Sequence, residues 1–278
     1  GFQHSLIYSK AEYVNQVEEI QHHGIRGVFR FLNIETGLAI QHDGDLPARS
    51  GLGSSSSFTV GLLNAIKRMQ GCQYMPSKLA QDAIYVEQVI NKESVGLQDQ
   101  VAASFGGFNK IVFNKDGSFQ VLPLPISHSN LELLQSNLVL FYTGKQRRAN
   151  DIEKSKISRL PDKAKAYSAI SHSTKILESI LSNAHLSPSD VGSLLNDGWM
   201  LKKELSDMVS CDELDQIYDA AISAGAFGGK LLGAGGGGFF LFVVDPSNRK
   251  NLIDSLSGLV PVDFSFENKG SVVFDLTA

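Results

Sequence analysis

Apolar residues keep helical spacing from about Ser54 to Met69, where Phe58, Leu62, Ala65, Ile66 and Met69 share one face, and Gly71 is a natural stop. PSKLAQDAIYVEQVIN predicts a second helix opened by Pro76 and Ser77. AEYVNQVEEIQHH reads as a helix with Val14, Val17 and Ile20 on one side. GVFRFLNIETGLAIQHDGDLP reads as two strands about a turn at Glu35-Thr36-Gly37. SVGLQDQVAASFGGFNK predicts a turn, a short helix from about Leu97 and a break at Gly106-Gly107. KIVFNKDGSFQVLPL is a hairpin turning at Asp116-Gly117, and NLVLFYTG is a buried strand.

The pattern from about Arg148 to Asp207 is helical, with breaks near Pro161 and at Ser187-Pro188. DELDQIYDAAISAGA is a further helix ending at Gly225. GGKLLGAGGGGFFLFVVD reads as strand, glycine turn, strand; PSNRKNLIDSLSG as a helix; and VDFSFENKGSVVF as two closing strands. The order is mixed α+β. The Pro- and Ser-rich LPLPISHSN suggests a boundary, giving an N-terminal domain of residues 1–130 and a C-terminal domain of residues 131–278.

Composition narrows the function classes. The 278 residues are 42% hydrophobic and 19% charged, as in ordinary globular proteins. Net charge is −4 with no basic block, which argues against nucleic acid or an anionic membrane as partner. An anionic ligand must then be held by local features. Cys72 and Cys211 fit no metal spacing and read as thiols of a reducing compartment. No apolar run approaches the ~20 residues that span a bilayer, and no signal pattern opens the chain, so the expectation is a cytoplasmic protein.

Chemistry concentrates in four stretches. GLGSSSS places two glycines and four serines at the start of a helix. A helix N-terminus carries unpaired N–H groups and partial positive charge, glycines let a ligand approach the backbone, and serine hydroxyls cap, bind phosphate or ligate Mg²⁺. This is a phosphate cradle, but no Gly-Lys-Ser/Thr follows to make it a Walker loop. In KLLGAGGGGFF, Gly233, Gly235 and Gly238 match G-x-G-x-x-G, yet a strand follows instead of the helix a dinucleotide site requires. That leaves a turn whose backbone comes close to a ligand or to the first glycine loop. EQVINKESVGLQDQ offers Glu87 and Asp99, which spacing alone does not separate from solvated helix positions. YTGKQRRAND clusters Lys145, Arg147 and Arg148 after a strand, a phosphate-binding group or a solvated basic loop.

Taken in order, these stretches resemble the GHMP family of small-molecule kinases. Its Pro-x-x-x-Gly-Leu-Gly-Ser-Ser motif matches Pro47, Gly51, Leu52, Gly53, Ser54 and Ser55, with Ser56 at the small position that follows. Its Gly-Ala-Gly-x-Gly-Gly turn matches Gly233 to Gly238, and its catalytic Asp stretch matches Gly96-Leu97-Gln98-Asp99-Gln100. Within the family, DLPARSGLGSSSSFTVGLLNA, GLQDQVAASFGGFN and DFSFENKG look like the bacterial D-glycero-D-manno-heptose 7-phosphate kinase group. The family's N-terminal strand and Pro-x-Arg motif have no match, so by that pattern several dozen residues would precede Gly1.

The resemblance implies an α+β, two-domain GHMP kinase fold: an N-terminal α/β domain resembling the second domain of ribosomal protein S5, and a ferredoxin-like C-terminal domain. It implies ATP and Mg²⁺ as cofactors. Pro47 and Gly51 to Ser57, with Gly233 and Gly235, would surround the ATP phosphates; Ser55 and Glu87 would hold Mg²⁺. Asp99 would act on the attacking sugar hydroxyl. Gly107, Lys145, Arg147 and Arg148 would join Asp99 at the acceptor, the three cations facing the phosphate of a phosphorylated sugar. The implied reaction is transfer of the γ-phosphoryl group of ATP to the anomeric hydroxyl of the heptose 7-phosphate. A kinase of the galactose, fucose or mevalonate type, and a regulator that binds sugar or ATP without catalysis, stay open. The sequence does not fix the oligomeric state, for which a homodimer is one candidate.

Overall fold

The computed structural model describes residues 4–47, 50–145 and 149–275. The chain divides into two units: one of Gly1–Ala48, Gly53–Gly107 and Glu267–Ala278, and one of Arg49–Leu52 and Phe108–Phe266.

In the first unit β1 (His4–Ile7) pairs antiparallel with β2 (Ala11–Val14) and parallel with β3 (Ala39–Gln41). A 3₁₀ turn (Val17–Glu19) leads to α1 (His23–Leu32). Then come α2 (Ser54–Met69), α3 (Pro76–Tyr85), a π turn (Val86–Ile90) and α4 (Gln98–Phe105). Leu6, Ile20, Val28, Phe29, Val60, Leu63, Ile66 and Leu79 form the core.

Three local expectations are corrected here. Residues 11–22 are not a helix. Glu12 is buried on β2, where it accepts from the Gln21 and His22 amides at 2.6 and 3.0 Å and from the Tyr8 hydroxyl at 2.6 Å. Burial opposes its ionisation, but these hydrogen bonds outweigh burial and hold the carboxyl below its ordinary range. Residues 27–32 are not a strand. Ile25, Val28 and Phe29 bury one helical face, the His22 imidazole caps Ile25 N–H at 3.2 Å, and Gly27 lies directly against the Asn91 side chain. The tail is not a strand pair either: beyond Val262 it is irregular and bonds piecemeal, Gly107 N–H to Glu267 O and Ser271 N–H to Ala103 O at 2.9 Å each.

The second unit opens with the expected hairpin, β4 (Asn109–Phe113) and β5 (Phe119–Pro123), whose Asp116 accepts from Ser118 N–H at 2.9 Å. The expected boundary stretch leads into a helix, α5 (His128–Asn137), capped by Ser127 on Asn130 N–H at 3.1 Å. A four-stranded antiparallel sheet of order β7-β8-β6-β9 follows, from β6 (Leu138–Tyr142), β7 (Ala226–Leu231), β8 (Phe239–Val244) and β9 (Val260–Val262). With it go α6 (Ala149–Ser158), α7 (Ala164–Leu181), α8 (Pro188–Lys203), α9 (Asp212–Ser223) and α10 (Arg249–Ser255). Val139, Phe141, Trp199, Tyr218, Phe240 and Phe242 lie in its core. No helix among the described residues is long and apolar enough to cross a membrane.

Candidate active site

The start of α2 is the centre of the first unit's polar chemistry. Gly53 precedes the helix with φ +70°, in the left-handed region glycine enters at no steric cost, and has no side chain with which to cap it. The Asp99 side chain lies against this glycine: a Cβ on Gly53 would sit 3.1 Å from the Asp99 carboxyl carbon. Asp99 stands in the first turn of α4, where the helix dipole favours a carboxylate.

A second carboxylate approaches the first turn of α2 at Ser56. Glu87 is buried within the π turn, a rare geometry that recurs at functional sites. Its Oε2 accepts from Ser56 Oγ at 2.9 Å and from Gln100 Nε2. Its Oε1 is buried with no hydrogen-bond partner among the described residues. Burial raises the Glu87 carboxyl above its ordinary range, against the hydrogen bonds from Gln100, Thr59 and Ser56. Ser55 is exposed one position before the serine that bonds Glu87. Among the described residues no cluster of three His, Cys, Asp or Glu could hold a metal by itself. One carboxylate with an open oxygen, beside serine hydroxyls, fits a cation that keeps waters and phosphate oxygens as its other ligands, as Mg²⁺ does.

Glycines 233 to 238 build a different structure in the second unit. A Cβ on Gly233 would lie 2.5 Å from Gly51 O, and Gly238 lies directly against Ser50 O. Of the two expectations for this turn, the structure shows the approach to the first glycine loop. Gly236 N–H bonds Val209 O at 2.8 Å and Gly238 N–H bonds Lys145 O at 2.9 Å. Lys202, which the sequence reading passed over, donates to Leu231 O at 2.9 Å and Gly233 O at 2.6 Å. The Lys145 ammonium pairs with Glu213 at 2.5 Å. Arg147 and Arg148 lie outside the described residues. Pro47 precedes the Gly51–Ser57 stretch and Leu52 lies within it, and Gly235 packs on Val209.

Comparison with known proteins agrees with the motif pattern. The family model for the GHMP kinases N terminal domain matches residues 12–107, and that for the GHMP kinases C terminal matches residues 177–261. A D-glycero-alpha-D-manno-heptose 7-phosphate kinase from Campylobacter jejuni is 39% identical over 232 residues, 81% of this chain and 67% of that protein. A galactokinase from Pyrococcus furiosus is 28% identical over 266 residues, 85% of this chain and 73% of that protein. The crystal structure of a D-glycero-D-manno-heptose 1-phosphate kinase from Bacteriodes thetaiotaomicron has TM-score 0.73 at 24% identity, covering 99% of this chain and 84% of that one, a likeness of fold. The chain belongs to the GHMP kinase family. It has that family's fold and is an ATP-dependent small-molecule kinase.

Proposed function

We propose that the protein transfers the γ-phosphoryl group of ATP to a sugar hydroxyl, the anomeric hydroxyl of D-glycero-D-manno-heptose 7-phosphate. The observation that carries the site is the pairing of two carboxylates with one helix start: Asp99 against Gly53, and Glu87 against Ser56 with one oxygen open. The 39% identity to a heptose 7-phosphate kinase supports the acceptor.

In this reading the first-turn N–H groups of Ser54 to Ser57 take phosphate oxygens, as helix N-termini do. Pro47, Gly51 and Leu52 lead into that helix along the chain, and Gly233 backs on Gly51. Ser55 and Glu87 hold Mg²⁺, which when bound neutralises charge on the phosphates. Asp99 accepts the proton of the attacking hydroxyl. The sugar oxygen then bonds to the γ-phosphorus as the bridging P–O bond to ADP breaks. Such a transfer demands alignment and charge neutralisation more than a strong base.

A coupled ADP-release assay tests this with Mg²⁺-ATP and heptose 7-phosphate, mannose, galactose, fucose and mevalonate. Turnover of the heptose phosphate alone is expected. Turnover of an unphosphorylated compound in its place overturns the acceptor. Silence across the panel with ATP still bound overturns the catalytic assignment.

A further inference from the structure

Gln100 is fully buried in the first turn of α4, directly after Asp99. A glutamine is seldom held wholly out of water. Its Nε2 donates to Glu87 Oε2, while its Oε1 is buried with no hydrogen-bond partner among the described residues. An amide oxygen so placed costs stability, and an apolar side chain of similar size would fill the space without that cost. What this amide supplies is its bond to Glu87.

Three donors face the Glu87 carboxyl: Ser56 and Thr59 on α2, and Gln100 on α4. They differ in stiffness. A hydroxyl hydrogen turns about its C–O bond, and the Thr59 hydroxyl also reaches Ser55 O at 3.2 Å. The Gln100 amide is planar, and its helix turn is tied by the buried Ser104 hydroxyl, which donates to Gln100 O at 2.8 Å. The terminal torsion of a glutamate is broad and roughly two-fold, so the carboxylate turns unless its donors hold it. Ser56 and Gln100 meet on Oε2 from two helices, and Oε1 is left open.

We propose that Gln100 is a positioning residue: its amide fixes the Glu87 carboxylate so that Oε1 is the oxygen presented to the divalent cation. This rests on the reading of Glu87 as the carboxylate ligand of that cation. Asp99 and Gln100 are consecutive, so the first turn of α4 sets both carboxylates of the site, Asp99 by carrying it and Glu87 through this bond. Partners that hold a ligating carboxylate are typically worth about 10–100-fold in metal affinity.

Mn²⁺ in place of Mg²⁺ gives a readout apart from turnover. Its binding to the whole protein with a non-hydrolysable ATP analogue, followed by electron paramagnetic resonance, should weaken at least tenfold in Gln100→Met. The analogue without metal should bind within twofold of wild type. In the ADP-release assay with heptose 7-phosphate, the Mg²⁺ concentration for half-activation should rise by a similar factor, and saturating Mg²⁺ should restore most of kcat. In a Glu87→Gln background, Gln100→Met should change Mn²⁺ affinity less than twofold, because the amide acts through the carboxylate. An equal loss in both backgrounds marks a merely structural role and overturns the proposal. Wild-type Mn²⁺ affinity in Gln100→Met, with affinity lost in Glu87→Gln, overturns the positioning role alone. Wild-type affinity in Glu87→Gln overturns the cation reading on which it rests. Should Gln100→Met not fold, Gln100→Asn, whose amide is one methylene short of Glu87, takes the same test, and wild-type Mn²⁺ affinity there overturns the proposal.

Discussion

Ser56 donates its hydroxyl hydrogen to the buried carboxylate of Glu87 at 2.9 Å, across 31 positions of sequence. This bond joins the first turn of α2 to the π turn after α3, and Gln100 adds α4 to the same oxygen. The other oxygen of Glu87 is buried without a hydrogen-bond partner among the described residues. A carboxylate so placed costs stability until a cation meets it.

Glu87→Gln should therefore separate stability from activity. Burial disfavours the charged carboxylate, and the amide carries no charge to bury. The ligand-free variant is expected to melt higher than wild type by roughly 2–4 °C for each kcal/mol gained. Its Mg²⁺-dependent turnover should fall at least a hundredfold. Calorimetric melting and the ADP-release assay check the two arms, and a variant that melts lower contradicts the assigned strain.

Asp99→Asn should remove turnover while ATP still binds, because the amide keeps the shape and loses the proton acceptor. Gly53→Ala attacks the same pair from the other side. Its Cβ would press on the Asp99 carboxyl carbon at 3.1 Å, from a backbone at φ +70° that costs a non-glycine residue about 1–2 kcal/mol. Loss of kcat with little change in melting for the first, and loss of both for the second, is the expected result.

Gly233→Ala should destabilise by about 1–3 kcal/mol, since its Cβ would overlap Gly51 O at 2.5 Å. Gly61→Ala is the contrasting case. It lies inside α2 with open space around the added carbon, so a gain of about 0.5–1 kcal/mol is expected. Urea unfolding of the two variants measures both signs.

Stability should rise with pH above about 7 through Lys202. Burial, then Lys230 and Lys156, lower its ammonium to about 7, and Glu153 opposes them. Lys203, beside it on α8, is neutralised by Asp215 at 3.1 Å. The unfolded chain keeps the Lys202 proton up to about 10.4, the ordinary lysine value. Between these values the unfolded state binds more protons, so the penalty is complete below about 7 and fades as pH climbs. Lys202→Met should flatten the stability profile over that window, as read by melting temperatures from pH 6 to pH 10.

Much of this was legible along the chain. Ser54–Met69 forms the expected helix because its apolar spacing, glycine start and glycine stop agree with one another. The Asp116-Gly117 hairpin formed where the turn residues put it. The family itself was legible from three short motifs. Residues 27–32 were not, because VFRF suits a strand until Ile25, Val28 and Phe29 are seen burying one face beside Asn91. There tertiary packing overrode local preference.

The sequence by itself determined which residue types stand at each helix start and turn, and from them the GHMP pattern of Gly51 to Ser55, Asp99 and the glycines after Leu232. Only the tertiary structure decided that Ser56 bonds Glu87, that Gly233 backs on Gly51, and that Lys202 donates to Leu231 O and Gly233 O. The physical reason is range. Caps, turns and helical periodicity act over a few residues and leave their mark in local composition. Burial, charge balance and backbone approach join positions far apart in the chain, where no spacing records them.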